Sequence, residues 1–305
     1  MSRCRSQLLG VIATLLAVSV CACGTDDNEG STPPPRFAVL SAFPGEMAAV
    51  LEHATIESTM MIDGRTFRLG TLGGARVVIG LTGIGLVNAA TTTHAVLEKF
   101  AVAGVVVSAV AGSTLEIGDV TVPASWQFKD GTTYTAHQPW LDLANTIAAA
   151  GTVSLQNCID IPSAAQEPVC LLGQPAIVVG GVGQSTDPFQ GMAFPCQPNG
   201  GDVYGCDVAS SGNTSTSTGN HRALRAFTTA ASEPPIANDM ETAAIAREAA
   251  AHGLPFIAFR AVSDGGPGDP LNLGFLDQFV AYYPLAAHNA AAMTVAFLEH
   301  LAAGK

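Results

Sequence analysis

Basic residues are scarce in this 305-residue sequence, with 13 Lys and Arg against 25 Asp and Glu. Affinity for nucleic acid rests on cationic contacts to phosphates, so a chain this acidic excludes that class of partner. The same imbalance argues against broad electrostatic docking on anionic lipid. Long apolar runs are also missing. Beyond residue 20, no stretch approaches the roughly 20 apolar residues of a membrane-spanning helix. Several catalytic and cofactor motifs are absent as well. GGVGQST (180–186) lacks the Lys-Ser/Thr of a phosphate loop, and GQSTD (183–187) is not the Gly-x-Ser-x-Gly elbow of hydrolases. TGIG (82–85) lies between a strand and a helix but lacks the third glycine and the ribose-binding acid of a dinucleotide site. The histidines, His53, His94, His137, His221, His252, His288 and His300, show no ligand or triad spacing. No metal and no cofactor are expected.

The N-terminus reads as an address. Arg3 and Arg5 precede the apolar run Leu8–Val20, which is too short to span a bilayer and suits a signal segment. Val20-Cys21-Ala22-Cys23 then resembles a bacterial lipobox. Cleavage after residue 22 would leave a lipidated Cys23; Cys21 is a weaker anchor, and ordinary cleavage without lipid is the plain alternative. Residues 23–36 are polar and rich in Gly and Pro, the composition of a tether. Loss of Arg3 and Arg5 with the leader leaves 11 basic against 25 acidic residues. The expected location is therefore the bacterial cell envelope, with membrane contact through the N-terminal lipid alone.

Cys158, Cys170, Cys196 and Cys206 form two local pairs in loop-like segments. In an exported chain they read as disulfides Cys158–Cys170 and Cys196–Cys206, because their spacings are not those of a zinc site. The remaining residues, 37–303, suffice for one large domain. Apolar segments at Phe37–Ser41, Arg76–Thr82, Val102–Val110, Asp119–Pro123, Ala176–Val182 and Phe256–Val262 have strand character. Between and after them lie helical patterns at Glu46–His53, from residue 86 to Phe100, at Pro139–Ala150, Asp239–His252 and Leu271–Leu301. This alternation predicts an α/β domain with a central, mainly parallel mixed sheet and helices on both faces. Residues 184–220 read as an insertion stapled by Cys196–Cys206.

Ligands in such sheets bind beyond the carboxyl ends of the strands. Three carboxylates stand there. Glu46 falls in the first turn of a helix opened by Pro44, where it would also favour the helix dipole. Glu241 lies three residues after Asn238, a spacing that fits a capping box. Asp264 ends the strand FIAFRAVS and could cap a turn with Gly265 and Gly266. Each has an ordinary structural role taken singly; their shared placement points to a common cleft.

SAFPGEM (41–47), TGIGLVNAA (82–90), DMETAAIA (239–246) and LPFIAFRAVSD (254–264) resemble the nucleoside phosphorylase/nucleosidase superfamily. The wider match is to 5′-methylthioadenosine/S-adenosylhomocysteine nucleosidases, and GDVTVPASW (118–126) is similar to the bark-storage-protein branch. The resemblance implies that Asp264 protonates or hydrogen-bonds the purine at N7 and that Glu46 activates water. Glu241 would hold the ribose hydroxyls with Met240 against the sugar, and Phe189 would stack on the base with Ser185 nearby. Ser263 belongs to the matched base-recognition strand, and Arg260 would orient Glu46 or the water. Phe189 fits core filling equally well.

The implied reaction is hydrolysis of a purine nucleoside's N-glycosidic bond. SAFPGE and VVVSAVAGS carry no Arg or Lys where the family's phosphorylases place theirs, which favours water over phosphate. The small hydroxyl residue usual in the third-strand loop is replaced by Ala109-Val110-Ala111, with Ser108 and Ser113 close by. A phosphorylase and a non-catalytic nucleoside-binding or storage protein remain alternatives. Dimers are common in the nucleosidase branch, and apolar stretches such as AAHNAAAMTVAF are compatible with a homodimer.

Overall fold

The computed structural model describes residues 34–159, 168–208 and 235–304. The leader, Cys23 and all but residues 34–36 of the tether lie outside the described residues, as do 209–220 of the expected insertion. The apolar strand β1 (Arg36–Ser41) leads into α1 (Pro44–Leu51), where Pro44 supplies the fixed φ suited to a helix start. The helix begins two residues before the expected Glu46, which places Glu46 at its third position.

A hairpin follows that the apolar pattern did not announce: β2 (Ala54–Ile62) and β3 (Arg65–Leu72), antiparallel. Asp63 and Gly64 make its turn, both with positive φ (48° and 75°), the backbone that a two-residue hairpin loop of Asp-Gly type adopts. Next come β4 (Ala75–Leu81), α2 (Leu86–Lys99), β5 (Val102–Gly112), β6 (Val120–Val122), β7 (Ser125–Phe128), β8 (Thr133–Thr135) and α3 (Gln138–Ala150). The short pair β9 (Cys158–Ile159) and β10 (Val169–Cys170) carries the Cys158–Cys170 disulfide. The chain continues through β11 (Ile177–Val179), β12 (Val182–Ser185), α4 (Gly201–Tyr204), β13 (Ala237–Asp239), α5 (Thr242–Ala251), β14 (Phe256–Asp264) and α6 (Phe275–Ala303).

Two expectations are corrected here. The strand expected over Ala176–Val182 is two strands, broken where Gly180 and Gly181 take positive φ (110° and 69°). Its second part, β12, pairs in the sheet, so the inserted segment begins only after Ser185. The helix expected from Asp239 begins at Thr242, because residues 237–239 pair as a strand instead. Asn238 therefore does not cap it; Asp239 accepts the Thr242 N–H.

Among the described residues, twelve strands form one mixed sheet in which β4, β1, β5 and β14 run parallel at the centre. Along most of its length β5 lies between β1 and β14, but at its last residue, Gly112, it also meets β13. The sheet forks there: one branch continues through β13, β12, β7 and β8, the other through β14, β6 and β11. Alternate residues of β5 feed two cores. Val106 and Val110 pack with residues of α1, α3 and α6, whereas Val105, Val107 and Ala109 pack with those of α2 and α5. A strand buried on both faces is apolar along nearly its whole length, as the run Val102–Val110 is but for Ser108.

Candidate active site

The three carboxylates converge at the fork. Glu46 reaches from the first turn of α1 to β5, and its carboxylate accepts three backbone N–H bonds: Ala42 at 2.7 Å, Phe43 at 2.8 Å and Val110 at 2.8 Å. Glu241 ends the β13 turn and accepts the N–H of Gly85 at 2.9 Å, which ties it to the TGIG loop 156 residues earlier. Asp264 pairs with Gly112 across a β-bulge, close enough that a Cβ at Gly112 would lie 2.9 Å from its carboxylate. Val110 and Gly112 are two residues apart, so Glu46 and Asp264 meet β5 at points roughly 7 Å apart.

Arg260, fully buried on β14, organises the centre. It forms an ion pair with Asp239 at 2.7 Å and contacts Glu241 at 3.5 Å. It also donates to the Val110 carbonyl at 2.8 Å and to the Thr242 hydroxyl at 2.9 Å. It makes no contact with Glu46, but its charge acts on Glu46 through space. The bulge at Ser263 interrupts the strand alternation between Arg260 and Asp264.

Burial sets the protonation of all three acids, since desolvation disfavours the charged carboxylate. It raises Glu46 from its ordinary 4.5 to about 7, against the charge of Arg260 and the three backbone N–H groups. Burial likewise pushes Glu241 up, with Arg260 opposing and Asp239 adding to the rise. Asp264 is raised by burial, and a 2.5 Å hydrogen bond from the Ser263 hydroxyl works the other way.

The remaining residues expected at the site divide. Met240 and Phe189 are partly buried and pack against the main core; Phe189 lies beside Phe194 at 4.8 Å between ring centres. Phe189 also covers Gly85, where an added Cβ would stand 2.8 Å from the ring. Ser185 is buried, and its hydroxyl donates to Asp239 and accepts the Ala243 N–H. It therefore holds the start of α5. Ser113, near the altered third-strand loop, donates to the Ile236 carbonyl. Sequence reading passed over Asp239, Thr242 and the Gly85 N–H, although all three lie within motifs it singled out.

Two hollows border these loops. One, of about 380 Å³, is lined by residues including Leu86, Phe128, Ser185, Asp187 and Arg247. The other, of about 200 Å³, lies between Ala42, Thr82, Asn88, Arg65 and the Cys196–Cys206 segment. Neither is lined by Glu46, Glu241 or Asp264, which are at most 5% exposed.

A family model described as the phosphorylase superfamily matches residues 36–299. An uncharacterized protein of Mycobacterium tuberculosis is 39% identical over 191 residues, covering 55% of this chain and 75% of that protein. The 5′-methylthioadenosine/S-adenosylhomocysteine nucleosidase of Shewanella denitrificans is 28% identical over 276 residues, covering 87% of this chain and 100% of that enzyme. Among solved structures, the corresponding nucleosidase of Neisseria meningitidis, in complex with methylthio-immucillin-A, has a TM-score of 0.59 at 21% identity. That match covers 88% of this chain and 100% of the other.

Proposed function

Because the chain belongs to the phosphorylase superfamily, we propose that it hydrolyses the N-glycosidic bond of a purine nucleoside of the methylthioadenosine, S-adenosylhomocysteine or adenosine type. The observation that carries this reading is the convergence of Glu46, Glu241 and Asp264 on the end of β5, with Arg260 between them. Breaking the bond builds positive charge on the ribose and negative charge on the departing base. The reaction therefore calls for an acid at the base, a base for water and a grip on the sugar. Asp264, its carboxyl group raised by burial, gives a proton to N7. Glu46 takes a proton from the water that attacks C1′, and the pair of electrons of the C1′–N9 bond leaves with the purine. Glu241 accepts hydrogen bonds from the ribose hydroxyls beside Met240. Ser263 steadies Asp264, and Arg260 holds Glu241 while favouring the ionised form of Glu46. Phe189 must swing off Gly85 to admit the base and can then stack on it.

Water is favoured over phosphate because the loops 41–46 and 105–113 carry no Arg or Lys and Arg260 is engaged by two carboxylates. Binding without cleavage is the second reading, favoured by the deep burial of the three carboxylates. Incubation with adenosine, inosine, methylthioadenosine and S-adenosylhomocysteine, with and without phosphate, separates the three. Free base in both conditions supports hydrolysis; base only with phosphate makes the chain a phosphorylase; binding with no base released makes it a nucleoside carrier. We also propose export and anchoring through Cys23, supported by the two disulfides, which suit an oxidising compartment.

A further inference from the structure

Two of the histidines whose spacing along the chain carries no ligand signal, His94 and His252, come together across a helix pair at the helix ends remote from the Gly85–Glu241 bond. α2 contributes His94 and Glu98, four residues apart and hence on one helix face. His252 closes the C-terminal end of α5. The His94 and His252 rings lie 5.8 Å apart, and the Nε2 of His252 is 3.2 Å from the Glu98 carboxylate. One ligand atom from each of the three groups lies within 4.8 Å of the others. A fourth group, Glu248, stands 3.7 Å from the His94 Nδ1.

We propose that His94, Glu98 and His252 bind a divalent transition-metal ion of the zinc class, bridging α2 and α5. Two imidazoles and a carboxylate form a borderline donor set that suits zinc or nickel and disfavours magnesium or calcium, which prefer oxygen alone. His252 is oriented for the role. Its Nδ1 lies 2.8 Å from the Glu248 carbonyl, which only accepts, so Nδ1 carries the hydrogen. Nε2 is left to hold either a proton shared with Glu98 or a metal, and a backbone partner on the other ring nitrogen is the usual support of a ligating imidazole. Tetrahedral zinc needs ligand atoms roughly 3.3–3.6 Å apart. The His94 and Glu98 side chains are 60% and 56% exposed, so rotation closes the remaining gap without disturbing the core. Glu248 can complete the set. The ion would tie the C-terminal ends of the two helices whose N-terminal ends meet at the Gly85–Glu241 bond.

Calorimetric titration of the purified, tag-free protein with Zn²⁺, and separately with Mg²⁺, tests this site without reference to nucleoside cleavage. The expected result is one Zn²⁺ per chain, an affinity at least tenfold lower in His94→Ala and in His252→Ala, and no heat from Mg²⁺. Zn²⁺ should also raise the Tm of the parent protein and not of His94→Ala. His94 is exposed, so its variant keeps the fold, which circular dichroism verifies. Zinc binding equal in the parent and both variants, no zinc binding at all, or equal binding of magnesium would overturn the proposal and leave the cluster as surface ion pairs.

Discussion

Arg260 is paired with Asp239 at 2.7 Å, across the fork of the sheet, and not with Asp264 four residues along its own strand. This arrangement keeps the cation off the acid that must hold its proton. It also compensates the charge of a carboxylate buried at the start of α5, where Asp239 further accepts from Ser185, Thr242 and the backbone N–H of Glu241. Removing one partner of such a pair leaves an uncompensated buried charge. Arg260→Ala should therefore destabilise the fold by about 3–5 kcal/mol in urea unfolding. Adding Asp239→Asn to it should recover part of the loss, and strict additivity of the two changes would contradict the pairing.

Asp264→Asn tests the leaving-group role. The amide keeps the shape and a hydrogen bond but has no proton to transfer, so kcat for base release should fall about 10²–10⁴-fold with KM nearly unchanged. Equal losses in kcat and in affinity would assign Asp264 to binding.

The pH dependence follows from Glu46. Burial raises it from 4.5 to about 7, and a base must be ionised, so kcat/KM should climb as pH rises through about 7. Stability moves the other way. Between 4.5 and 7 the folded carboxyl keeps a proton that the unfolded one has lost. This group's cost is therefore absent below about 4.5, grows as pH rises, and is complete above 7 at about 3 kcal/mol. Comparing urea midpoints of the parent and Glu46→Gln at pH 5 and pH 8 should show the variant gaining most at pH 8. An unchanged difference between the two pH values would contradict the shift.

Gly85 has a φ of 93° and supports the Phe189 ring directly. Gly85→Ala places a methyl 2.8 Å from that ring in a strained backbone, at a cost of about 1–3 kcal/mol measured by thermal unfolding. Phe189→Ala in the same chain should relieve the ring contact and leave the backbone term.

Anchoring is checked by labelling cells with radioactive palmitate. Cys23→Ser should abolish incorporation and release the protein from the membrane fraction, whereas Cys21→Ser should do neither.

Much of the fold is legible in the sequence. The largely apolar runs at 37–41, 102–110 and 256–262 suit strands of a sheet covered on both faces, and Glu46 and Asp264 follow the first and last of them, at the ends where such sheets bind ligands. Other features were hidden for physical reasons. The β2–β3 hairpin has exposed residues along most of β2, so hydrophobic patterning was silent there, although Asp63-Gly64 carried the turn signal. The start of α5 was misplaced because Asn238 and Glu241 fit a capping box, while pairing with β12 and β5 drew residues 237–239 into the sheet. The Arg260–Asp239 pair and the His94–Glu98–His252 cluster depend on which elements pack together, and no spacing in the sequence encodes that.

Val110 donates its N–H to Glu46 and its carbonyl receives Arg260, so both side chains are fastened by the backbone of one residue and not by the valine side chain. The side chain at 110 is thereby uncoupled from the acid–base apparatus. Point changes there can remodel the packing beneath α1 while leaving both bonds in place, with proline as the exception, since it has no hydrogen to give.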